Sequence, residues 1–96
     1  MTVWLKQGVL GDVSRQIRRA IGTVHSLHQQ KGEDLFITSL REGTHSAGSL
    51  HYDGQAFDSR PGQVTRAEAL KALNAISPFY DVIDETDHLH VEWDQK

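Results

Sequence analysis

The sequence has no cysteine, only two prolines and no long run of apolar residues. The lack of cysteine excludes disulfide bonds. A membrane-spanning helix needs about 20 consecutive apolar residues, so we expect no membrane insertion. The formal net charge of -3 gives no basic footprint for nucleic acid. The short basic cluster of Arg15, Arg18 and Arg19 is typical of a solvated helix face.

The chain has 96 residues, and we expect residues 1–96 to form a single domain. A protein of this size buries roughly 60–65% of its unfolded surface, which limits the stability that burial alone provides. Small domains often gain stability from disulfides or from a bound metal. Because disulfides are excluded, the six histidines are candidate metal ligands.

The first half of the sequence predicts a helix, a strand and a loop. Apolar residues recur at steps of three and four over residues 13–28, which is the spacing of an amphipathic helix. Asp12 is placed to cap this helix and Gly32 to end it. Residues 34–40 are rich in β-forming residues and predict a strand. Residues 41–50 then predict a long loop, and functional groups are common in such loops.

The second half predicts a second helix followed by a hairpin. Thr65 and Glu68 form the pattern of a capping box. One side of the helix that they open carries Ala69, Leu70, Leu73 and Ile76. Residues 79–84 and 88–93 predict two strands, and the link between them is too short for anything but a hairpin. The fold class that follows is α+β, with a small, mainly antiparallel β-sheet and two helices on one of its faces.

The last predicted strand has two chemically different faces. Side chains alternate along a strand, so His88, His90 and Glu92 share one face. The other face is apolar and is expected to meet the core; it carries Leu89, Val91 and Trp93. Two imidazoles on one face of a rigid element are typical of a metal site or a proton-transfer site.

A second group of candidate ligands lies in residues 51–58. His51 and Asp58 are seven positions apart, so a regular strand would send them to opposite faces. The turn signal Asp53-Gly54 breaks this alternation and would let them converge above the small Ala56. With His90 they would supply two imidazoles and one carboxylate, which leaves a tetrahedral zinc ion one position for water.

The longer pattern is more specific than these spacings. It reads Ser49-x-His51-x-x-Gly54-x-Ala56-x-Asp58 and ends with Asp87-His88-x-His90. This pattern resembles the signature of the zinc D-Ala-D-Ala carboxypeptidases, cell-wall dipeptidases and phage endolysins, which share a core fold with the signalling domain of hedgehog proteins. The resemblance covers about residues 35–94 and implies a hedgehog/DD-peptidase-like fold.

The resemblance implies a role for each matching residue. One Zn²⁺ per chain would be bound by His51, Asp58 and His90. Asp87, three positions before the last ligand, would be the catalytic base, and Glu85 fits that spacing less well. His88 would stabilise the negative charge on the carbonyl oxygen.

The resemblance also implies supporting residues around the metal. Arg41 is the candidate for contacting substrate carboxylate or carbonyl groups, although its flanking sequence departs from the family's pattern. Ser49 is expected to hydrogen-bond to a metal ligand and His45 to line the cleft.

Simpler interpretations remain for some of these residues. Asp87 could serve only as a hairpin-turn residue. His25 and His28 stand three apart on the first helix. For these two, helix packing or surface exposure is favoured over a second metal site because no nearby acidic residue completes one.

The function implied is hydrolysis of peptide bonds in peptidoglycan stem peptides, by a monomer that acts as a carboxypeptidase or endopeptidase and is encoded by a phage or by a bacterium. A catalytically silent zinc-binding module for protein recognition or virion assembly is the alternative. The first twelve residues lack the features of a signal peptide. We therefore expect cytoplasmic synthesis, with action on the cell wall after release or within a virion, or a cytoplasmic dipeptidase.

Overall fold

A computed structural model describes residues 3–5, 14–40 and 55–94. The elements in chain order are β1 (Val3–Leu5), α1 (Arg15–Gln30), β2 (Leu35–Ser39), β3 (Ala56–Ser59), α2 (Arg66–Asn74), β4 (Tyr80–Asp84) and β5 (Leu89–Trp93). They form a small α+β domain, as the sequence predicts, with two helices against a mainly antiparallel sheet.

The strands lie in the order β1-β2-β3-β5-β4. Strands β2, β3, β5 and β4 are antiparallel neighbours, whereas β1 pairs in parallel with β2. Strand β1 is not predicted by the sequence pattern, because a strand of three residues has too little periodicity to be recognised. Strands β3 and β5, which carry the candidate metal ligands Asp58 and His90, are therefore direct neighbours in the sheet.

The first helix begins at a different cap from the one expected. Ser14, and not Asp12, is the N-cap, and its hydroxyl accepts a hydrogen bond from the backbone N–H of Ile17. The same hydroxyl donates to Oε1 of Gln55, which joins the start of α1 to the residue before β3. Gly32 follows the helix at φ +75°, a conformation that glycine adopts without strain.

The second helix has the predicted capping box, in which Thr65 and Glu68 satisfy each other's backbone N–H groups. It ends at Asn74, earlier than the apolar pattern suggested, and Ile76 is therefore outside it and 41% exposed. The backbone N–H groups of Ala75 and Ile76 bond to carbonyls of the last helical turn, which completes the helix end.

One face of the sheet forms the hydrophobic core with both helices. The buried apolar residues of this core include Ile17, Ala20, Val24, Leu35, Ile37, Phe57, Leu73, Val82, Leu89 and Val91. Trp93 packs against this core from the end of β5, so the predicted apolar face of that strand is confirmed. The opposite face of the sheet is left to carry polar side chains.

Candidate functional site

Asp58 and His90 meet on the polar face of the sheet. They are direct cross-strand partners in β3 and β5, and Oδ1 of Asp58 lies 2.9 Å from Nδ1 of His90. Both side chains are largely removed from solvent, with Asp58 only 8% exposed. The structure thus brings together two of the three predicted metal ligands.

The strand beside Asp58 is irregular. Ile37 of β2 pairs with Ser59, but the next pair along the ladder joins Ser39 to Asp58. One extra residue of β2 therefore lies beside this position, as in a β-bulge. Bulges change the direction of neighbouring side chains and are common near functional sites. This irregularity lies next to Asp58, whose carboxylate is a candidate metal ligand.

His90 lies between two carboxylates. Its second ring nitrogen, Nε2, is 3.2 Å from Oε1 of Glu92. Because a carboxylate only accepts hydrogen bonds, both contacts are satisfied together when the ring carries a proton on each nitrogen. Burial lowers the pKa of His90, but the hydrogen bond and charge of Asp58, with the charges of Glu92 and Glu85, raise it above its usual value overall.

His88 connects the hairpin turn to this pair. Its Nδ1 donates to Oδ1 of Asp87 at 2.7 Å, and its Nε2 lies 3.8 Å from Oδ2 of Asp58. The side chain of Asp87 is 86% exposed. Glu85, the candidate base with the poorer spacing, has Oε2 3.5 Å from the same Nε2. Both candidate bases therefore reach His88, from its two opposite nitrogens.

Four predicted site residues lie outside the described part of the chain. These are the metal ligand His51, the substrate-binding candidate Arg41, and the supporting residues Ser49 and His45. Among residues 3–5, 14–40 and 55–94, no group of three or more His, Cys, Asp or Glu side chains is arranged to hold a metal ion.

Asp58 and His90 are residue types that can bind zinc. Carboxylate oxygen and imidazole nitrogen are both zinc ligands, with bonds of about 2.0–2.2 Å. Two such atoms at tetrahedral corners are separated by roughly 3.4 Å, whereas Oδ1 of Asp58 and Nδ1 of His90 are 2.9 Å apart, at hydrogen-bond distance, and would have to separate slightly to share an ion. Together they would occupy two of the four corners.

Sequence reasoning missed Arg60, which lies two residues after Asp58 and so shares its face of the sheet. Its guanidinium carbon stands 3.9 Å from the centre of the Phe36 ring. The alternation that groups the polar residues of β5 also places Ala56, Asp58 and Arg60 on one face, and it was the available signal.

The expectation that His28 has no acidic partner was wrong. The histidine is 1% exposed, and its Nδ1 lies 2.7 Å from Oε1 of Glu33, beyond the end of α1. Glu33 escaped notice because the chain reverses at Gly32 and brings it back to the helix. Of the two interpretations favoured for His28, helix packing agrees with its burial and surface exposure does not.

Neither helix in the described ranges is both long enough and apolar enough to cross a membrane. Comparison with protein-family models and with curated proteins gives no match for this chain.

Proposed function

We propose that this protein is a zinc metallopeptidase that hydrolyses peptide bonds in bacterial cell-wall stem peptides. The observation that carries the proposal is the close approach of Asp58 and His90, the two residues that end the two halves of the sequence pattern. These residues are 32 positions apart and meet on adjacent strands, and the sequence resemblance assigns both of them to the metal. The proposal includes a hedgehog/DD-peptidase-like fold.

His51, Asp58 and His90 would hold one Zn²⁺, and a bound zinc ion would make water nucleophilic near neutral pH and polarise the scissile carbonyl. Glu92, at Nε2 of His90, would have to release that nitrogen if it is the ligand atom. If Nδ1 is the ligand atom, Glu92 instead orients the ring, as carboxylates often do behind a metal-bound histidine.

The residues of the hairpin turn would transfer protons and stabilise negative charge. Asp87 would accept a proton from the attacking water and deliver it to the leaving amine. His88 would donate a hydrogen bond from Nε2 to the carbonyl oxygen as that oxygen becomes negative. Because Nδ1 of His88 already donates to Asp87, this role requires a ring that carries a proton on each nitrogen.

A catalytically silent zinc-binding module is the second candidate. It is favoured by the position of Asp87, whose carboxylate is exposed and bonded to His88. A hairpin-turn aspartate that only fixes the neighbouring ring would leave the protein able to bind zinc without a base of its own.

Two measurements on the full chain separate these candidates. The first is zinc stoichiometry by calorimetry and metal analysis, where we expect one ion per chain and loss of binding in Asp58→Ala and His90→Ala. The second is release of new amino groups from purified cell walls by the zinc-loaded protein. Binding with release supports the peptidase, and binding without release from several wall types supports the silent module. Failure to bind zinc at all would overturn both.

A further inference from the structure

Ile83 lies in one row with the two described candidate metal ligands. It is the direct cross-strand partner of His90. His90 is in turn the direct partner of Asp58 on its other side. Residues directly opposite each other on neighbouring strands point to the same face of a sheet. The side chains of Ile83, His90 and Asp58 therefore stand side by side on the polar face.

The burial pattern of β4 agrees with this placement. Tyr80 and Val82 are buried in the core, so Asp81 and Ile83 project from the opposite face of the sheet. Ile83 is 40% exposed on that face. In the described ranges, the other exposed large hydrophobic residue is Ile76, which follows α2 on the core side of the sheet.

The immediate surroundings of Ile83 are acidic. Asp81 lies two residues before it on the same face, and Glu85 lies two residues after it. The cross-strand partner of Asp81 is a third carboxylate, Glu92. Charged side chains on an edge strand protect it from pairing with other chains, whereas an exposed isoleucine works against that protection. Ile83 is therefore an isolated apolar spot between carboxylates, next to the candidate metal ligands.

We propose that Ile83 is a specificity-determining residue that binds an aliphatic side chain of the substrate peptide, next to the cleaved bond. This inference rests on the proposed function. Neighbouring strands are about 4.8 Å apart, so a carbonyl held over His90 would lie one strand spacing from Ile83. That spacing is only slightly longer than the contact distance between apolar side chains, about 4.0–4.5 Å. An aliphatic side chain beside the carbonyl would cover Ile83 and remove both apolar surfaces from water.

The carboxylates beside Ile83 raise the question of a basic side chain. Norleucine and lysine have the same unbranched stem, but lysine ends in an ammonium group that Asp81 or Glu85 could pair with. Exposed ion pairs contribute little, because water screens them and because two long side chains lose entropy when they pair. The apolar contact should therefore dominate, and an aliphatic side chain is the occupant to which we commit.

The experiment measures peptide binding to the full chain by NMR titration, with zinc and without it. The probes are blocked dipeptide amides in which one residue is alanine and the other is norleucine, lysine or serine. The variable residue is placed first or second, in the L or the D form. In the preferred position, we expect norleucine to bind about 3- to 10-fold more tightly than serine, which corresponds to partial burial of two or three methylene groups.

Two variants and a matched control complete the test. Ile83→Thr keeps the β-branched shape that suits a strand but replaces apolar surface with a hydroxyl, so it should abolish the preference for norleucine. Ile83→Val keeps an apolar side chain and should retain part of the preference. Ile76→Thr makes the same change at a residue of equal exposure, 41%, and should leave the preference intact. Melting temperatures establish that the variants fold.

Each result bears on one proposal separately. Equal binding of norleucine and serine peptides by the wild type, or a preference that survives in Ile83→Thr, overturns the role of Ile83. Tighter binding of lysine than of norleucine assigns the selection to the carboxylates and overturns the aliphatic occupant.

Hydrolysis distinguishes the subsite from the proposed activity. If the preference depends on Ile83 but zinc-loaded protein hydrolyses no peptide, the apolar subsite stands and the peptidase proposal fails. If Ile83→Thr hydrolyses the norleucine and serine peptides with the same kcat/KM ratio as the wild type, the peptidase stands and the subsite fails.

Discussion

Oδ1 of Asp58 lies 2.9 Å from Nδ1 of His90 across two adjacent antiparallel strands. Asp58 is buried and His90 is partly buried on the polar face of a sheet whose other face packs against both helices. A buried carboxylate and imidazole require partners, because an uncompensated charge away from water is costly. In this protein the two groups satisfy each other, with Glu92 at the second nitrogen of the ring.

Zinc should raise the stability of the protein through this pair. A ligand that binds only the folded state at 100 times its Kd stabilises by about 2.7 kcal/mol. For a domain of this size that corresponds to a rise in Tm of roughly 10–20 °C. Differential scanning calorimetry with zinc and with a chelator measures the difference.

The zinc-dependent rise in Tm should disappear in Asp58→Ala and His90→Ala, because each removes a ligand. Asp87→Asn is the matched control, since its carboxylate contacts His88 and is not assigned as a ligand. It should keep the full rise. A wild-type Tm that does not respond to chelation would contradict the role of the pair.

Asp87 and Glu85 can be distinguished as bases by their opposite positions on His88. Asp87 contacts Nδ1 at 2.7 Å, while Oε2 of Glu85 is 3.5 Å from Nε2. If Asp87 is the base, Asp87→Asn should lower kcat for wall hydrolysis by about 10²–10⁴-fold. Glu85→Gln should then have a much smaller effect. If Glu85→Gln lowers kcat more than Asp87→Asn does, the base is Glu85. If both variants are as active as the wild type, neither residue is the base.

Most features of the fold that depend on neighbouring residues could be predicted from local sequence patterns. The capping box at Thr65 and the alternation in β5 are visible in a few consecutive residues. Strand β1 was not visible, because its identity depends on pairing with β2, some 30 residues later. The cap at Ser14 was also missed, since Asp12 is an equally good capping residue and only the course of the chain selects between them.

In the candidate site, too, the features set by local sequence could be predicted and those set by distant pairing could not. The face shared by His88, His90 and Glu92 follows from alternation alone. The distance between Asp58 and His90 does not, because it depends on the register of β3 and β5. The partners of His28 and Arg60 were beyond prediction for the same reason: Glu33 arrives through a chain reversal, and Phe36 belongs to another strand.

Glu33 should make stability depend on pH in the acidic range. Burial raises the pKa of Glu33, but the backbone N–H of Gln63, the hydrogen bond and charge of His28, and the charge of Lys31 lower it overall below 4.5. A carboxyl group with a lowered folded pKa stabilises the protein above pH 4.5. This contribution is lost as the pH falls through the folded value.

Urea unfolding of the wild type and of Glu33→Gln at pH 7, 5 and 3 measures this contribution. The other carboxyl groups are common to both proteins, so the difference in unfolding free energy isolates Glu33. We expect the wild type to be more stable at pH 7 and the difference to shrink at pH 3. A difference that stays constant across this range would show that the charge of Glu33 does not stabilise the fold.

Thr86 adopts a left-handed backbone conformation, with φ +69°, in the turn before Asp87. This conformation costs a β-branched residue about 1–2 kcal/mol, whereas asparagine tolerates it. Thr86→Asn should therefore stabilise the protein by about 0.5–1 kcal/mol and raise Tm by roughly 2–8 °C. Thr86→Gly should gain less, because glycine also increases the entropy of the unfolded chain. A lower Tm for Thr86→Asn would mean that the turn needs the threonine side chain.

The outer edge of β4 is blocked by side chains, and removing them should allow the protein to associate. β4 is the last strand of the sheet. In β5, the backbone N–H of Trp93 donates to the carbonyl oxygen of Gln55, on the side of β5 that faces away from β4. The backbone groups of successive residues point to opposite sides of a strand, and in this register the N–H and C=O of Val82 point away from β5, toward the open edge. The N–H of Val82 donates to Oδ1 of Asp81 at 2.9 Å, and its carbonyl accepts from Nε of Arg66 at 2.7 Å.

Unpaired backbone groups at a sheet edge bind the edges of other chains. The variant Arg66→Ala/Asp81→Ala leaves the net charge unchanged but exposes both groups of Val82, next to Ile83, which is 40% exposed. We expect the wild type to be a monomer and the double variant to show concentration-dependent dimers in analytical ultracentrifugation. Arg18→Ala, on α1, should remain monomeric. A double variant that stays folded by circular dichroism and monomeric at high concentration would show that these side chains do not protect the edge.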